Sequence, residues 1–185
     1  MTEAAGSDRG RVLAVEALGA VFMVLAGSAL HFVFDWTGRW PPVAVFAAVN
    51  ESVFEHLKLA FWPGIVWAGF SQGRLDVPAG RYFAAKGFSL CATAVLIVAV
   101  FVGYTRVLED NLLALDIGTF VLAVILGQCL CCWLILGARL SSVTVGSGLT
   151  LLGLQLIAYG LLSYFPPDMW LFIDSGTGLR GISAR

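Results

Sequence analysis

The sequence reads as an all-α integral membrane bundle of five transmembrane helices, with a short interfacial or re-entrant helix before the second. Hydrophobic residues form 59% of the chain and charged residues 12%, about half the roughly 25% charge content of soluble domains. The mean hydropathy is +0.88. The apolar residues are also contiguous, in runs near the roughly 20 helical residues needed to cross a hydrocarbon core. A length of 185 residues holds one such bundle without a second folded domain. The formal net charge of −1 supplies no basic surface, so nucleic acid is excluded as an expected partner. The expected partners are the lipid bilayer and a membrane-associated substrate or partner subunit.

Residues 1–11 are expected as a cytoplasmic N-terminal tail, 12–165 as the five-helix membrane domain and 166–185 as a C-terminal interfacial tail. The first span covers 12–34. Its apolar run is too long for a signal-peptide core and lacks a small-residue cleavage site, so it is expected to be retained. The third, fourth and fifth spans cover 87–104, 115–137 and 145–165. The second apolar stretch, 43–70, is too long for one upright span and is interrupted by Asn50-Glu51-Ser52-Val53-Phe54-Glu55-His56-Leu57-Lys58. Ser52 and Glu55 match the S-x-x-E capping box, which predicts a helix over 53–71, about 28 Å long at 1.5 Å per residue. Residues 41–49 then form the short preceding helix, with Pro42 suited to its first turn. One long tilted helix is the alternative.

Lysine and arginine set the expected orientation. With the N-terminus in the cytoplasm, Arg9, Arg11, Arg74, Arg81, Lys86 and Arg139 lie inside, and Arg39, Arg106, Arg180 and Arg185 lie outside, the sense of the positive-inside rule. The predicted location is the cell membrane, multi-pass. His31, Asp35, residues 51–58 and Asp116 then gather towards the outer leaflet, while Glu16 stands near the inner end of the first helix. Glu109-Asp110-Asn111 reads as a solvated loop, and Gln128 and Gln155 as interhelical hydrogen-bonding residues. Cys91, Cys129, Cys131 and Cys132 occupy apolar runs without CxxC spacing and are expected as buried thiols.

Ionisable groups inside a membrane pair with one another, line a wet cavity or do chemistry. His31 and Asp35 fall one helical turn apart, and Glu55 and Lys58 are spaced as an i, i+3 ion pair. The bland reading makes these a helix cap, a snorkelling lysine and a helix-end pair. A sharper one takes His31, Asp35 and His56 as ligands of a divalent metal such as zinc, with Glu51, Glu55 and Lys58 as catalytic candidates beside it. Two imidazoles with carboxylates suit zinc or non-haem iron, and a metal-bound water suits hydrolysis. The alternatives are an ion- or proton-coupled transport subunit using Glu16, Glu51, Glu55, Lys58 and Asp116, a haem held by His31 and His56, and a structural or accessory membrane subunit. The tail run Asp174-Ser175-Gly176-Thr177-Gly178 reads as a turn. It is expected on the outer surface, either loosely held or covering the polar cluster.

Three stretches carry a family resemblance: His31-Phe32-Val33-Phe34-Asp35-Trp36, the segment Asn50 to Lys58, and Pro166-Pro167 with Leu171-Phe172-Ile173-Asp174, Thr177-Gly178 and Gly181. The chain resembles a family of small prokaryotic multi-pass membrane proteins classed as a domain of unknown function. The resemblance implies a bundle of about five helices and assigns no activity. It also implies a histidine after the tail prolines, where this chain carries Asp168.

Overall fold

The computed structural model describes residues 2–110, 112–137 and 140–183; Asn111, Arg139 and Arg185 lie outside the described residues. Among the described residues there are five helices: α1 (Thr2–Trp36), α2 (Val53–Gln72), α3 (Ala79–Leu108), α4 (Leu113–Leu136) and α5 (Ser142–Leu161). Short 3-10 turns occupy Pro41–Val45, Trp170–Phe172 and Gly181–Ser183. Among the described residues there is no strand, only an isolated antiparallel bridge between Ile173 and Arg180.

Among the described residues four helical stretches, Arg9–Trp36, Ala79–Leu108, Leu113–Leu136 and Ser142–Leu161, are long and apolar enough to cross a membrane. That is what a membrane protein requires. α2 is not among them, and it carries Glu55, His56 and Lys58 in its first two turns. Helices α1 to α4 close a ring in which α1 packs on α2, α2 on α3, α3 on α4 and α4 on α1, with α5 laid against α3. The apolar centre holds Met23, Phe61, Leu90 and Val124. Large apolar side chains such as Leu18, Leu25, Val95 and Trp133 cover the outside.

The chain breaks before α2, as the Ser52 signal predicts, and Ser52 is the N-cap residue in extended conformation. The capping box itself does not form. Ser52 makes no side-chain cap bond, its N–H goes to Asn50 Oδ1, and Glu55 reaches Val49 N instead. α3 also starts at Ala79, well before the expected residue 87, because Arg81 and Lys86 belong to the helix. Arg81 donates to the Leu134 and Ile135 carbonyls near the end of α4, and Lys86 is fully buried. Lys86 therefore drops out of the loop charge used to orient the chain. Cys131 and Cys132 are buried, but Cys129 is exposed, because it shares the outward face of α4 with Ile125, Leu126 and Trp133.

Two close helix approaches hold the bundle together. Pro63, inside α2, has no N–H to give the Leu59 carbonyl one turn back. Gly27 of α1 packs against that carbonyl, so close that a Cβ would sit 2.4 Å from the oxygen. At the α3–α5 crossing a Cβ on Gly87 would lie 2.1 Å from the Gly148 carbonyl oxygen. Gly87→Ala must force these backbones apart and is expected to cost about 1–3 kcal/mol. Gly153→Ala, where a Cβ meets nothing within 4 Å, is expected to leave the thermal midpoint in detergent unchanged. Equal midpoints for the two variants would refute this account of the crossing.

Candidate metal centre and the buried network beneath it

The ionisable side chains of the segment from Asn50 to Lys58, together with His31 of α1, fall into a buried set and a half-exposed set. Lys58 and Glu55 form the buried set, with Nζ 2.5 Å from Glu55 Oε2 and side-chain exposures of 0% and 2%. Lys58 also donates to the Ala44 and Ala47 carbonyls at 2.7 and 2.8 Å and to Ser163 Oγ at 2.6 Å. Ser163 Oγ in turn donates a hydrogen bond to Glu55 Oε1 at 2.7 Å. An ammonium has three protons and no acceptor capacity, so four oxygens around Nζ saturate it as a cation. The arrangement holds three separate pieces of chain: the Pro41–Val45 turn, the start of α2 and the residues just after α5.

The half-exposed set is His31 from the last third of α1, Glu51 from the irregular stretch and His56 from the first turn of α2. Glu51 Oε2 lies 3.6 Å from His31 Nε2 and 3.5 Å from His56 Nε2, with side-chain exposures of 41%, 31% and 35%. One ligand atom from each of the three lies within 4.8 Å of the others. The imidazoles meet edge to face, with ring centroids 5.1 Å apart. His56 Nδ1 is 2.9 Å from the Ser52 carbonyl. A carbonyl only accepts, so this contact assigns the proton to Nδ1 and turns Nε2 towards Glu51.

The other candidates lie elsewhere. Asp35, in the last turn of α1, pairs with Arg39 at 3.0 Å, both side chains half exposed. Asp116 receives the Tyr104 hydroxyl. Asp168 pairs with Arg180. Glu16 lies in a second buried network at the opposite end of the ring. There Lys86 Nζ is 2.5 Å from Glu16 Oε2, Tyr82 donates to Glu16 Oε1 at 2.9 Å, and Gln128 donates to Oε2 at 2.8 Å. Lys86 also donates to Gln128 Oε1 at 3.0 Å. Glu16 and Gln128 were visible as polar residues within apolar runs, whereas Lys86 was hidden by its neighbourhood of loop-like charges. Gln155 bridges α5 to the Gly87 carbonyl of α3 at 3.0 Å.

The tail docks on the same end as the histidines. Phe172 stacks on Phe54 with ring centroids 4.4 Å apart. Asn50 Nδ2 donates to the Gly181 carbonyl at 3.0 Å, and Asp174 Oδ2 accepts the Glu51 N–H at 2.8 Å. Burial pushes the Asp174 carboxyl up. The N–H groups of Glu51, Thr177 and Gly176 and the Thr177 hydroxyl more than offset this and hold it below its ordinary 3.8.

Two expectations follow from the charges. Lys58→Met strands Glu55 and is expected to cost about 3–5 kcal/mol by denaturation in detergent, the scale for breaking a buried pair; a loss under 1 kcal/mol would contradict the saturated geometry. Because the Asp174 pKa is depressed on folding, its contribution is fully present above the unfolded value and is lost as pH falls through the lower folded one. Wild-type denaturation midpoints should therefore fall below about pH 4 more steeply than those of Asp174→Asn; parallel profiles would contradict it.

No curated protein and no solved structure matches the chain. A family model does match, over residues 12–182, and its description is a family of unknown function, DUF6512. With nearly the whole helical bundle, the polar segment and the docked tail inside that match, the chain belongs to the DUF6512 family of unknown function.

Proposed function

We propose that this chain is a multi-pass membrane protein whose His31, Glu51 and His56 bind a divalent metal, zinc by preference, at the outer face of the bilayer, and that the metal supports hydrolysis of a membrane-associated substrate. The spacing of the three side chains carries the reading. Contacts of 3.5 and 3.6 Å between Glu51 Oε2 and the ring nitrogens are too long for good hydrogen bonds. They are close to the edge of about 3.4 Å that a tetrahedron has when its ligands stand about 2.0–2.1 Å from zinc. The Ser52 carbonyl on His56 Nδ1 is the outer partner that metal-bound histidines use to fix their tautomer.

Three protein ligands leave a fourth position for water, the pattern of hydrolytic rather than structural zinc sites. A zinc held by His31, Glu51 and His56 would supply Lewis-acid chemistry suited to hydrolysis of an ester or amide. In this assignment Glu51, rather than Asp35, is the carboxylate ligand, and Glu55 and Lys58 hold the backbone that presents it. Haem is disfavoured, since imidazoles in edge contact at 5.1 Å leave no slot for a macrocycle. Proton-coupled transport is disfavoured too. Glu16 and Glu55 are each neutralised by a lysine, and Met23, Phe61 and Leu90 fill the core between the two ends.

Isothermal titration with zinc of chelator-treated protein in detergent tests the proposal. The wild type is expected to bind one equivalent, His56→Ala and Glu51→Ala to lose it at least tenfold, and Asp35→Asn to retain it. Absence of binding by folded wild type, or binding unaffected in His56→Ala, would sink it.

A further inference from the structure

Asp174 is 3% exposed, although it belongs to the tail and lies 123 positions from Glu51. Its two oxygens have separate jobs. Oδ1 builds the local turn, accepting the Gly176 and Thr177 N–H groups at 2.9 and 2.7 Å and the Thr177 hydroxyl at 3.0 Å. The turn is closed by Gly178 N–H on the Asp174 carbonyl and Asp174 N–H on the Leu179 carbonyl, both at 2.9 Å. A side-chain turn of this kind needs only one carboxylate oxygen. Oδ2 is exported and accepts the Glu51 N–H. Next to it Asn50 is fastened to Gly181, and Ile182 N–H donates to the Ser163 carbonyl at 3.0 Å. The tail therefore pins residues 50 and 51, while Glu55 pins Val49.

We infer that Asp174 is the positioning residue of the metal centre, and that docking of the C-terminal tail and metal binding by His31, Glu51 and His56 are one coupled equilibrium. The inference rests on the metal reading proposed above. Glu51 is the only one of the three ligands outside a helix, so its placement depends on what holds its backbone, and ligand sites tolerate errors of only about 0.5 Å. Coupling between binding events is reciprocal. If the docked tail raises metal affinity, bound metal must tighten the tail by the same factor. Loss of an outer-shell partner typically costs 10–100-fold in metal affinity.

The test measures amide hydrogen exchange over residues 174–182 with and without zinc, beside zinc titrations of wild type, Asp174→Asn and His56→Ala. Zinc is expected to slow exchange at Gly176, Thr177 and Gly178 in wild type and to leave it unchanged in His56→Ala, a response that a merely structural tail does not give. Asp174→Asn is expected to bind zinc about tenfold more weakly. The exchange measurement on wild type stands even if Asp174→Asn fails to fold. Wild type that binds zinc without any change in tail exchange, or a folded Asp174→Asn that binds zinc as wild type does, overturns the coupling and leaves the metal site standing. Wild type that binds no zinc removes the site and the coupling together.

Discussion

The buried Lys58 ammonium is the constraint around which one end of this molecule is built. Taking an ammonium and a carboxylate out of water costs several kcal/mol for each ion, and neither survives unless its remaining hydrogen-bonding capacity is met. Glu55, Ala44, Ala47 and Ser163 meet it together. They come from the first turn of α2, the stretch before it and the segment after α5, so the charge is satisfied only when all three are docked. Apolar residues in place of both Lys58 and Glu55 would pack the same elements with far less demand on register. The lysine thus specifies an arrangement more than it adds stability.

The same device recurs at the other end, where Lys86 and Glu16 tie α1 to α3 and Gln128 brings in α4. Glu16 and His31 are 15 residues apart on α1, about 22 Å of helix, and the space between is apolar. Two polar plugs and a dry middle give a bundle whose helices are registered at both ends. Close glycine contacts at Gly27, Gly87 and Gly148 set the spacing along its length. A rigid frame of this kind suits a site whose three side chains come from three different elements.

Much of the architecture was legible because it rests on local pattern. Apolar runs marked α1, α4 and α5, and Ser52 marked the start of α2, since a break in an otherwise continuous apolar stretch needs a local signal. The gathering of His31 and His56 at one end followed from helix lengths alone. What could not be read were partnerships made over long sequence distances. The Glu55–Lys58 pair was legible from its i, i+3 spacing, but the cap bond that the S-x-x-E pattern suggested gives way to Val49 and to Ser163, the latter 108 positions on. Asp35 looked as good a ligand as Glu51, because helical spacing places it one turn from His31. Asp35 instead pairs with Arg39, four residues on, whereas the tail's grip on Glu51 spans 123 positions and has no local signal. Lys86 was misplaced for a related reason: a lysine beside a loop is ordinarily solvated, and only the position of Glu16 across the bundle reverses that.

The proposed assignment of the buried pair Glu55 and Lys58 to the frame, and of the half-exposed trio His31, Glu51 and His56 to a metal, is tested most directly by zinc-edge X-ray absorption on the loaded protein. The account predicts a first shell of nitrogen and oxygen at about 2.0–2.1 Å, with the outer scattering of two imidazoles and no sulfur. A shell containing sulfur at about 2.3 Å would move the metal to the cysteines of α4, and a single imidazole would remove either His31 or His56 from the site; either result would contradict the account.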